Sequence, residues 1–535
     1  MIERLIIHNF KGIKSADIEF NAFKNILVGN NGVGKSTLME ALSLAMGYGL
    51  SKLEITPHLF HIDCVKEFIE TKSLPIITIE VVFGGKKDEF SGTNNTLRTN
   101  LRGLQLKICF DDVYTELFEA EKADCTQIPC EYYKVERYWF SDSPVKQQLM
   151  PYNIMLVDSS SAYFNSSSNQ YMANLLKKYI GTEELVKLQS SLRHLREKFE
   201  GEEKIEEVNA KLSTEIERLR VSIDVTSNII FRNILCPFLE DIPIEQIGEG
   251  ELCILKTILS IDKSHLTDKP KVIIVEEPET HLSHTKMYEL MRKIEDNLEK
   301  DKTQLIITTH NNFIANKLDL SNLILVNNNN GIVETRKINN KDDKELCGFF
   351  TKISNYPTLR LILCKSAILV EGPTDEMIVT YYYKKKYNKH PFDDGIELIS
   401  VEGISFKQFA ELAKVFNKKV AIITDNDGMD PDGVLNLRGL KDLPETIKVF
   451  TETNTSLKTL EPSFVEQNKE KLQDLSNVIR LRSVNPDTKD GLVAFMINNK
   501  TEWAYRLIKS LDATDFAVPQ YISNSIDWLL GNDEQ

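Results

Sequence analysis

The chain has 535 residues, 41% of them hydrophobic and 27% charged, with a formal net charge of −14 at pH 7. At about 100–200 residues per domain, this length holds roughly two to four domains, with apolar material for more than one core. The acidic balance excludes a protein coated in nucleic-acid-binding surface, so any contact with nucleic acid must be local and salt-sensitive.

The eight cysteines, Cys64, Cys109, Cys125, Cys130, Cys236, Cys253, Cys347 and Cys364, contain no CxxC pair. They read as reduced structural thiols of a cytoplasmic protein. The opening MIERLIIHNFKG has an acidic third residue and no long apolar run, unlike a signal peptide. No stretch approaches ~18 uninterrupted apolar residues, so no membrane span is expected.

In chain order, residues 2–8 and 16–28 read as short strands with a turn at Lys11-Gly12, and residues 76–83 as another. Strand-like runs continue to about residue 158. From about 169 to 230 the chain is rich in Leu, Lys, Glu and Arg at helical spacing. This is a helical insertion, either a partner-facing arm or a solvated hairpin of the same domain. Residues 271–275 and 304–309 are β-branched strands flanking a helix over about 285–299, the unit of a parallel sheet. Residues 322–337 read as a hairpin turning at Asn330-Gly331. The composition turns polar over 341–365, which predicts a linker. A second α/β texture follows, with strands at 366–370, 396–400, 419–425 and 447–450 and helices between and after them.

Residues 29–37 read GNNGVGKST, with a strand before them and a helix after them. Gly29, Gly34, Lys35 and Ser36 satisfy the P-loop spacing in the context it needs. Backbone amides across Asn30, Asn31, Gly32, Val33, Gly34 and Thr37 can face phosphate at a helix N-terminus. Lys35 meets the β/γ charge of ATP, and the Ser36 hydroxyl is a ligand for Mg²⁺. Residues 272–279, VIIVEEPE, deliver two adjacent carboxylates on a strand, and strand neighbours point to opposite faces. Glu276 is therefore assigned to the Mg²⁺ shell and Glu277 to the attacking water. His310 ends the strand LIITTH, where its tip could reach the γ-phosphate. Gly248 and Gly250, in IGEGE ahead of a helix, resemble the ABC signature that caps ATP held by a partner chain. Gly248 stands where that motif has Ser, and Glu251 where it has Gln.

The second half carries ILVEGPTDE at 368–376 and AIITDNDG at 421–428. Glu371 ends a strand, Asp375 sits at the start of the next helix, and Asp425 and Asp427 stand at i and i+2 on one side of a strand end. A hard, all-oxygen cluster of this kind suits Mg²⁺ or Mn²⁺ and not zinc. Each piece alone is common; the ordered set is far more specific. Residues 381–389, YYYKKKYNK, suit either a nucleic-acid backbone with unstacked bases or a solvated helix end.

Taken together, NFKG, GNNGVGKST, IGEGE, VIIVEEPETHLS, TTH, ILVEGPTDE, TDND and the late TLEPSF resemble the OLD (overcoming lysogenisation defect) family of nucleases. They are similar too to the nuclease subunit of the Gabija anti-phage system and to OLD-type retron effectors. The resemblance implies an α/β chain: an ABC-type ATPase domain over 1–340 with its helical insertion, and a Toprim domain over 366–535. It implies two-metal cleavage of DNA, in which Glu461 of KTLEPSF is a further metal-site carboxylate and Lys500 steadies transition-state charge. It implies a role in phage defence, a homodimer or higher oligomer, and a helicase-like or retron partner. A repair ATPase of the SMC or RecF kind, without nuclease activity, is the competing reading. Topoisomerases and primases also use Toprim domains, but little chain remains for the additional modules they need.

Overall fold

The computed structural model describes residues 1–50, 53–158, 182–215, 221–222, 238–248, 250–252, 254–255, 257, 269–298, 302–338, 343–352, 357–401, 406–479, 488–510 and 515–531. The chain divides into two compact units: Met1–Thr309 with Val326–Thr335, and His310–Leu325 with Arg336–Gln535.

The first unit is built on a twelve-stranded sheet among the described residues. Its main strands are β1 (Ile2–Phe10), β2 (Ile13–Glu19), β3 (Lys24–Val28), β4 (Ile77–Phe83), β5 (Leu101–Phe110), β6 (Tyr133–Trp139), β7 (Asn153–Asp158), β8 (Lys271–Glu276), β9 (Thr303–Thr308), β10 (Leu323–Asn329) and β11 (Ile332–Lys337). From the short edge strand Ser91–Gly92 the order is β5, β4, β1, β2, β11, β10, β3, β9, β8, β7, with β6 paired to β5. One part is antiparallel: β1 pairs with β2 and β4, and β5 with β4 and β6. The other is parallel, β3 to β9 to β8 to β7. The parallel strands are near-continuous apolar runs: Val272–Val275 and Leu305–Ile307 are wholly buried. Such runs belong to strands covered on both faces. The hairpin between β10 and β11 turns at Asn330 (φ 51°) and Gly331 (φ 87°), the left-handed pair that an Asn-Gly turn supplies.

Helix α1 (Lys35–Ala45) follows β3 and buries Leu38, Met39, Leu42 and Leu44. Within the expected helical insertion, the described residues form α2 (Thr182–Glu200) and α3 (Glu203–Glu215). The rest of residues 169–230 lies outside the described residues, apart from Val221 and Ser222.

The second unit carries a four-stranded sheet: β12 (Ser366–Val370), β13 (Ile396–Ser400), β14 (Lys419–Ile423) and β15 (Ile447–Phe450), in the order β13, β12, β14, β15. All three pairings are parallel. The stretch read as a linker is not featureless. It carries α4 (Asp343–Lys352) and α5 (Thr358–Leu363), and Phe350 of α4 packs edge-on against Phe409, ring centroids 5.5 Å apart. Helix α6 (Pro373–Tyr387) follows β12 and α7 (Phe406–Val415) precedes β14. After β14 come α8 (Pro431–Arg438), α9 (Leu460–Gln467), α10 (Lys500–Lys509) and α11 (Gln520–Leu530). Trp503 of α10 and Phe464 of α9 are wholly buried in its core.

Candidate nucleotide site and carboxylate cluster

In the first unit, the C-terminal ends of three neighbouring parallel strands carry the candidate nucleotide residues. The loop 29–34 leaves β3, Glu276 ends β8, and Thr308 ends β9 in register with Glu276. Ligands in such sheets gather at the carboxyl ends of the strands. Gly29 is dictated by close approach: a Cβ there would lie 2.5 Å from the Val326 carbonyl oxygen. Gly34, at φ 98°, turns the chain into α1 in a conformation other residues adopt only with strain. Asn30, Asn31, Gly32 and Ser36 are exposed at the loop, Val33 and Thr37 are partly covered, and Lys35 is buried. The Lys35 Nζ donates to the carbonyls of Gly29 (3.0 Å) and Asn30 (3.2 Å). Burial pulls this ammonium below its ordinary range, and Glu277, Glu279 and Glu276 push the other way.

Glu277 lies just past the strand, in left-handed backbone at φ 39°. It stands outside the strand that Glu276 ends, so strand alternation does not apply to it. Its N–H donates to the Thr308 carbonyl (3.0 Å) and hydroxyl (3.2 Å), which ties the β8 end to the β9 end. Sequence reading missed Glu279, whose carboxylate accepts from the Thr309 hydroxyl at 2.7 Å. His310 follows Thr309 directly, where the chain passes into the second unit. Gly248 is exposed with nothing near its Cβ position, and helical backbone begins at Gly250; Glu249 lies outside the described residues.

The second unit brings its carboxylates together at the ends of β12 and β14, which are adjacent. Glu371 follows β12, and its Oε1 accepts from the Thr424 hydroxyl (2.6 Å) and the Asp425 N–H (3.2 Å). Asp375, in the first turn of α6, accepts from the Gly372 N–H at 3.2 Å. Asp427 takes the left-handed conformation, φ 51°, and its N–H donates to the Lys458 carbonyl. Between the two aspartates, buried Asn426 donates to the carbonyls of Glu452 and Asn454 (3.0 Å each) and pins the loop. Glu461, buried in the first turn of α9, accepts from the Thr459 hydroxyl at 2.8 Å.

These groups feel one another. Burial first, then Glu371, Asp375, Glu461 and Asp427, pushes the Asp425 carboxyl up to about 8. Burial, Glu371 and Glu461 push Asp375 up to about 7, against its bond from Gly372. Tyr521, at the start of α11, is raised well above the usual phenol range, first by burial and then by Asp425, Asp375, Glu452 and Glu461. Oxygen donors crowded enough to resist ionising together fit a hard divalent cation. As the side chains stand, no three His, Cys, Asp or Glu residues among the described ones form a ready metal-ligand group.

A pH dependence follows. An unfolded aspartate titrates near 3.9. Between that value and about 8, the folded chain holds protons on Asp375 and Asp425 that the unfolded chain has released. Stability in a chelator should therefore fall as pH rises from about 4 to about 8. Thermal unfolding across this range should show a shallower slope for Asp425→Asn than for the parent chain. Parallel slopes would refute the coupling.

Lys500 opens α10, is exposed, and makes no hydrogen bond or ion pair with these carboxylates. Residues 381–389, which suit either a nucleic-acid platform or a solvated helix end, pack in part into the core. Tyr381 and Tyr383 are wholly buried in the core, and the Tyr383 hydroxyl donates to Asp394 at 2.5 Å. Lys385 pairs with Asp515 and Lys386 with Asp527. The six described cysteines are free thiols. No described helix is long and apolar enough to cross a membrane.

Two family models match. One, described as "AAA domain, putative AbiEii toxin, Type IV TA system", covers residues 24–316, more than half of the chain. The other, "Overcoming lysogenization defect protein-like, TOPRIM domain", covers residues 362–427, the span from β12 to the Asp427 turn. The chain belongs to this AAA-domain family and joins to it an OLD-like Toprim domain. The pairing supports hydrolase activity of the ATPase and nuclease kind. Among curated relatives, the RecF DNA replication and repair protein of Vibrio campbellii is 34% identical over 93 residues, 17% of this chain and 26% of that protein. The chain thus spans about a quarter of that relative's length. An SMC head bound to the ScpA C-terminal winged helix aligns at 14% identity, covering 64% of this chain and 99% of that one, TM-score 0.35. The C-terminal region of the Burkholderia pseudomallei OLD protein aligns at 17%, covering 32% and 98%, TM-score 0.26.

Proposed function

We propose that the chain is a nucleotide-regulated, Mg²⁺- or Mn²⁺-dependent DNA endonuclease or nickase, serving in anti-phage defence. The observation that carries this reading is the crowding of Glu371 and Asp425, at two adjacent strand ends matched by the OLD-like Toprim model, with Asp375 and Glu461 from the first turns of α6 and α9. Glu371, Asp375, Asp425, Asp427 and Glu461 are the residues that would hold divalent cations there. Bound cations supply Lewis acidity and a lowered pKa for water. The chain's own part is to present carboxylate oxygens on a rigid sheet edge, with Thr424 and the Asp425 N–H fixing Glu371 and Asn426 fixing the Asp425–Asp427 turn. Lys500 is proposed to reach the reacting phosphate once DNA is in place. At the AAA domain, the loop 29–37 holds ATP, Ser36 and Glu276 face its Mg²⁺, Glu277 orients water, and His310 senses the γ-phosphate. The deciding experiment is incubation with supercoiled plasmid and Mg²⁺ or Mn²⁺, with and without ATP. Nicked or linear product that needs the metal supports the reading. The RecF likeness favours a second one, a repair ATPase that binds DNA without cutting it, and binding without product in every metal would select it.

Self-association belongs to the same proposal. Gly248 and Gly250 would cap ATP on a second copy of the chain. Glu277→Gln should bind ATP, hydrolyse it slowly and accumulate a dimer, detectable by light scattering at micromolar concentration. A monomer with and without ATP would remove the capping role.

A further inference from the structure

The carboxylate cluster already contains a cation that the sequence motifs do not announce. Arg438 closes the eight-residue helix α8, and Gly439 behind it, at φ 66°, turns the chain away. Its Nη2 lies 2.6 Å from Glu371 Oε1 and 3.1 Å from Asp427 Oδ2. The guanidinium carbon stands 6.0 Å from the centre of the Phe406 ring. One nitrogen therefore joins two carboxylates that come from different strand ends. The placement is imperfect: the Arg438 Nε is buried with no hydrogen-bond partner. A buried N–H left unsatisfied disfavours the arrangement that buries it.

We propose that Arg438 is a displaceable counter-ion, a latch that occupies the cation position between Glu371 and Asp427 and must swing out before a divalent ion binds. This rests on the proposed metal site and adds a device to it. With Arg438 in place, Glu371 Oε1 is shared among the guanidinium, the Thr424 hydroxyl and the Asp425 N–H. Release of the guanidinium frees one oxygen on each of two carboxylates and gives Nε access to a partner. The swung-out group then stands beside the site as a positive charge matched to a phosphate oxygen. Arg438 is a positioning residue in this scheme: it sets which cation the carboxylates hold.

The test is binding of Mn²⁺ alone, without nucleotide or DNA, followed by loss of the free-ion paramagnetic signal and by calorimetry. The parent chain, Arg438→Gln, Arg438→Lys and Asp425→Asn are compared. Removing one unit of competing positive charge a few ångströms away should tighten Mn²⁺ binding by about tenfold or more in Arg438→Gln. Arg438→Lys, which keeps the charge and loses the fork, should lie between it and the parent. A second readout is thermal: Arg438→Gln should melt below the parent in a chelator and regain that loss when Mn²⁺ is added. Should Arg438→Gln not fold, the lysine variant still decides, because a latch predicts tighter binding and a structural ion pair does not. Asp425→Asn separates the two readings. If it leaves Mn²⁺ binding unchanged, the metal site itself is elsewhere and the latch falls with it. If it removes binding while both Arg438 variants bind no more tightly than the parent, the site stands and the latch is overturned.

Discussion

Asp425→Ala should abolish DNA cleavage, by 10²–10³-fold or more, while leaving ATP binding intact. The magnitude follows from losing one transition-state interaction, roughly 3–4 kcal/mol, with loss of a metal ligand adding to it. The Asp425 carboxyl is pushed up to about 8, by burial first and then by Glu371, Asp375, Glu461 and Asp427. It also offers an unusual control. A mutation that inactivates by misfolding lowers stability, whereas removing Asp425 relieves repulsion among the remaining carboxylates. Measured in a chelator near pH 8, Asp425→Ala should melt no lower than the parent while failing to cut. Glu371→Ala should be equally inactive but less stable, because Glu371 accepts from Thr424, the Asp425 N–H and Arg438. Exposed Asp427 should cost less than either. Plasmid cleavage by matched preparations, with metal titrated, gives the comparison. An Asp425→Ala protein that cuts as fast as the parent would place the activity elsewhere and favour the repair-ATPase reading.

Much of both units was legible because their parallel strands are short, nearly continuous apolar runs. KVIIV and QLIIT became β8 and β9, SAILV and KVAII became β12 and β14, each within a residue or two. Motifs attached to strand ends were legible for the same reason: once a strand is placed, the residue after it is at the sheet edge. Side chains that arrive from helices were not. Arg438 ends an ordinary amphipathic helix, and nothing in NLRGLKD distinguishes a guanidinium aimed at a carboxylate pair from one in water. The YYYKKKYNK run left two readings open, because composition does not say which face of α6 is buried; Tyr381 and Tyr383 fall on the core side. The supposed linker hid Cys347 and Phe350, two apolar residues three apart, too short a signal to register as a helix against its polar surroundings. Glu277's bend was equally hidden, since left-handed backbone at a glutamate has no compositional signature.

Lys35→Ala should weaken ATP binding by about a hundredfold. A unit charge on phosphate at contact distance is worth about 4 kcal/mol at an effective dielectric near 20, and part of that is offset by bonds the lysine gives up. Those bonds are known here: Lys35 Nζ is held by the Gly29 and Asn30 carbonyls, so nucleotide must compete with the loop's own backbone for it. Burial also lowers the ammonium's preference for charge, and three glutamates oppose this. A phosphate arriving beside it restores the charged form, an interaction alanine cannot make. The loop should survive the substitution, because Gly29 is fixed by its approach to Val326 and Gly34 by the turn into α1, neither of which uses the lysine. Glu277→Gln provides the contrast: it keeps the positive pole and loses only the carboxylate proposed to orient water, so affinity should hold while turnover drops. Calorimetric titration of both variants with a non-hydrolysable ATP analogue separates them. Parent-like affinity in Lys35→Ala would mean that nucleotide does not sit on this loop.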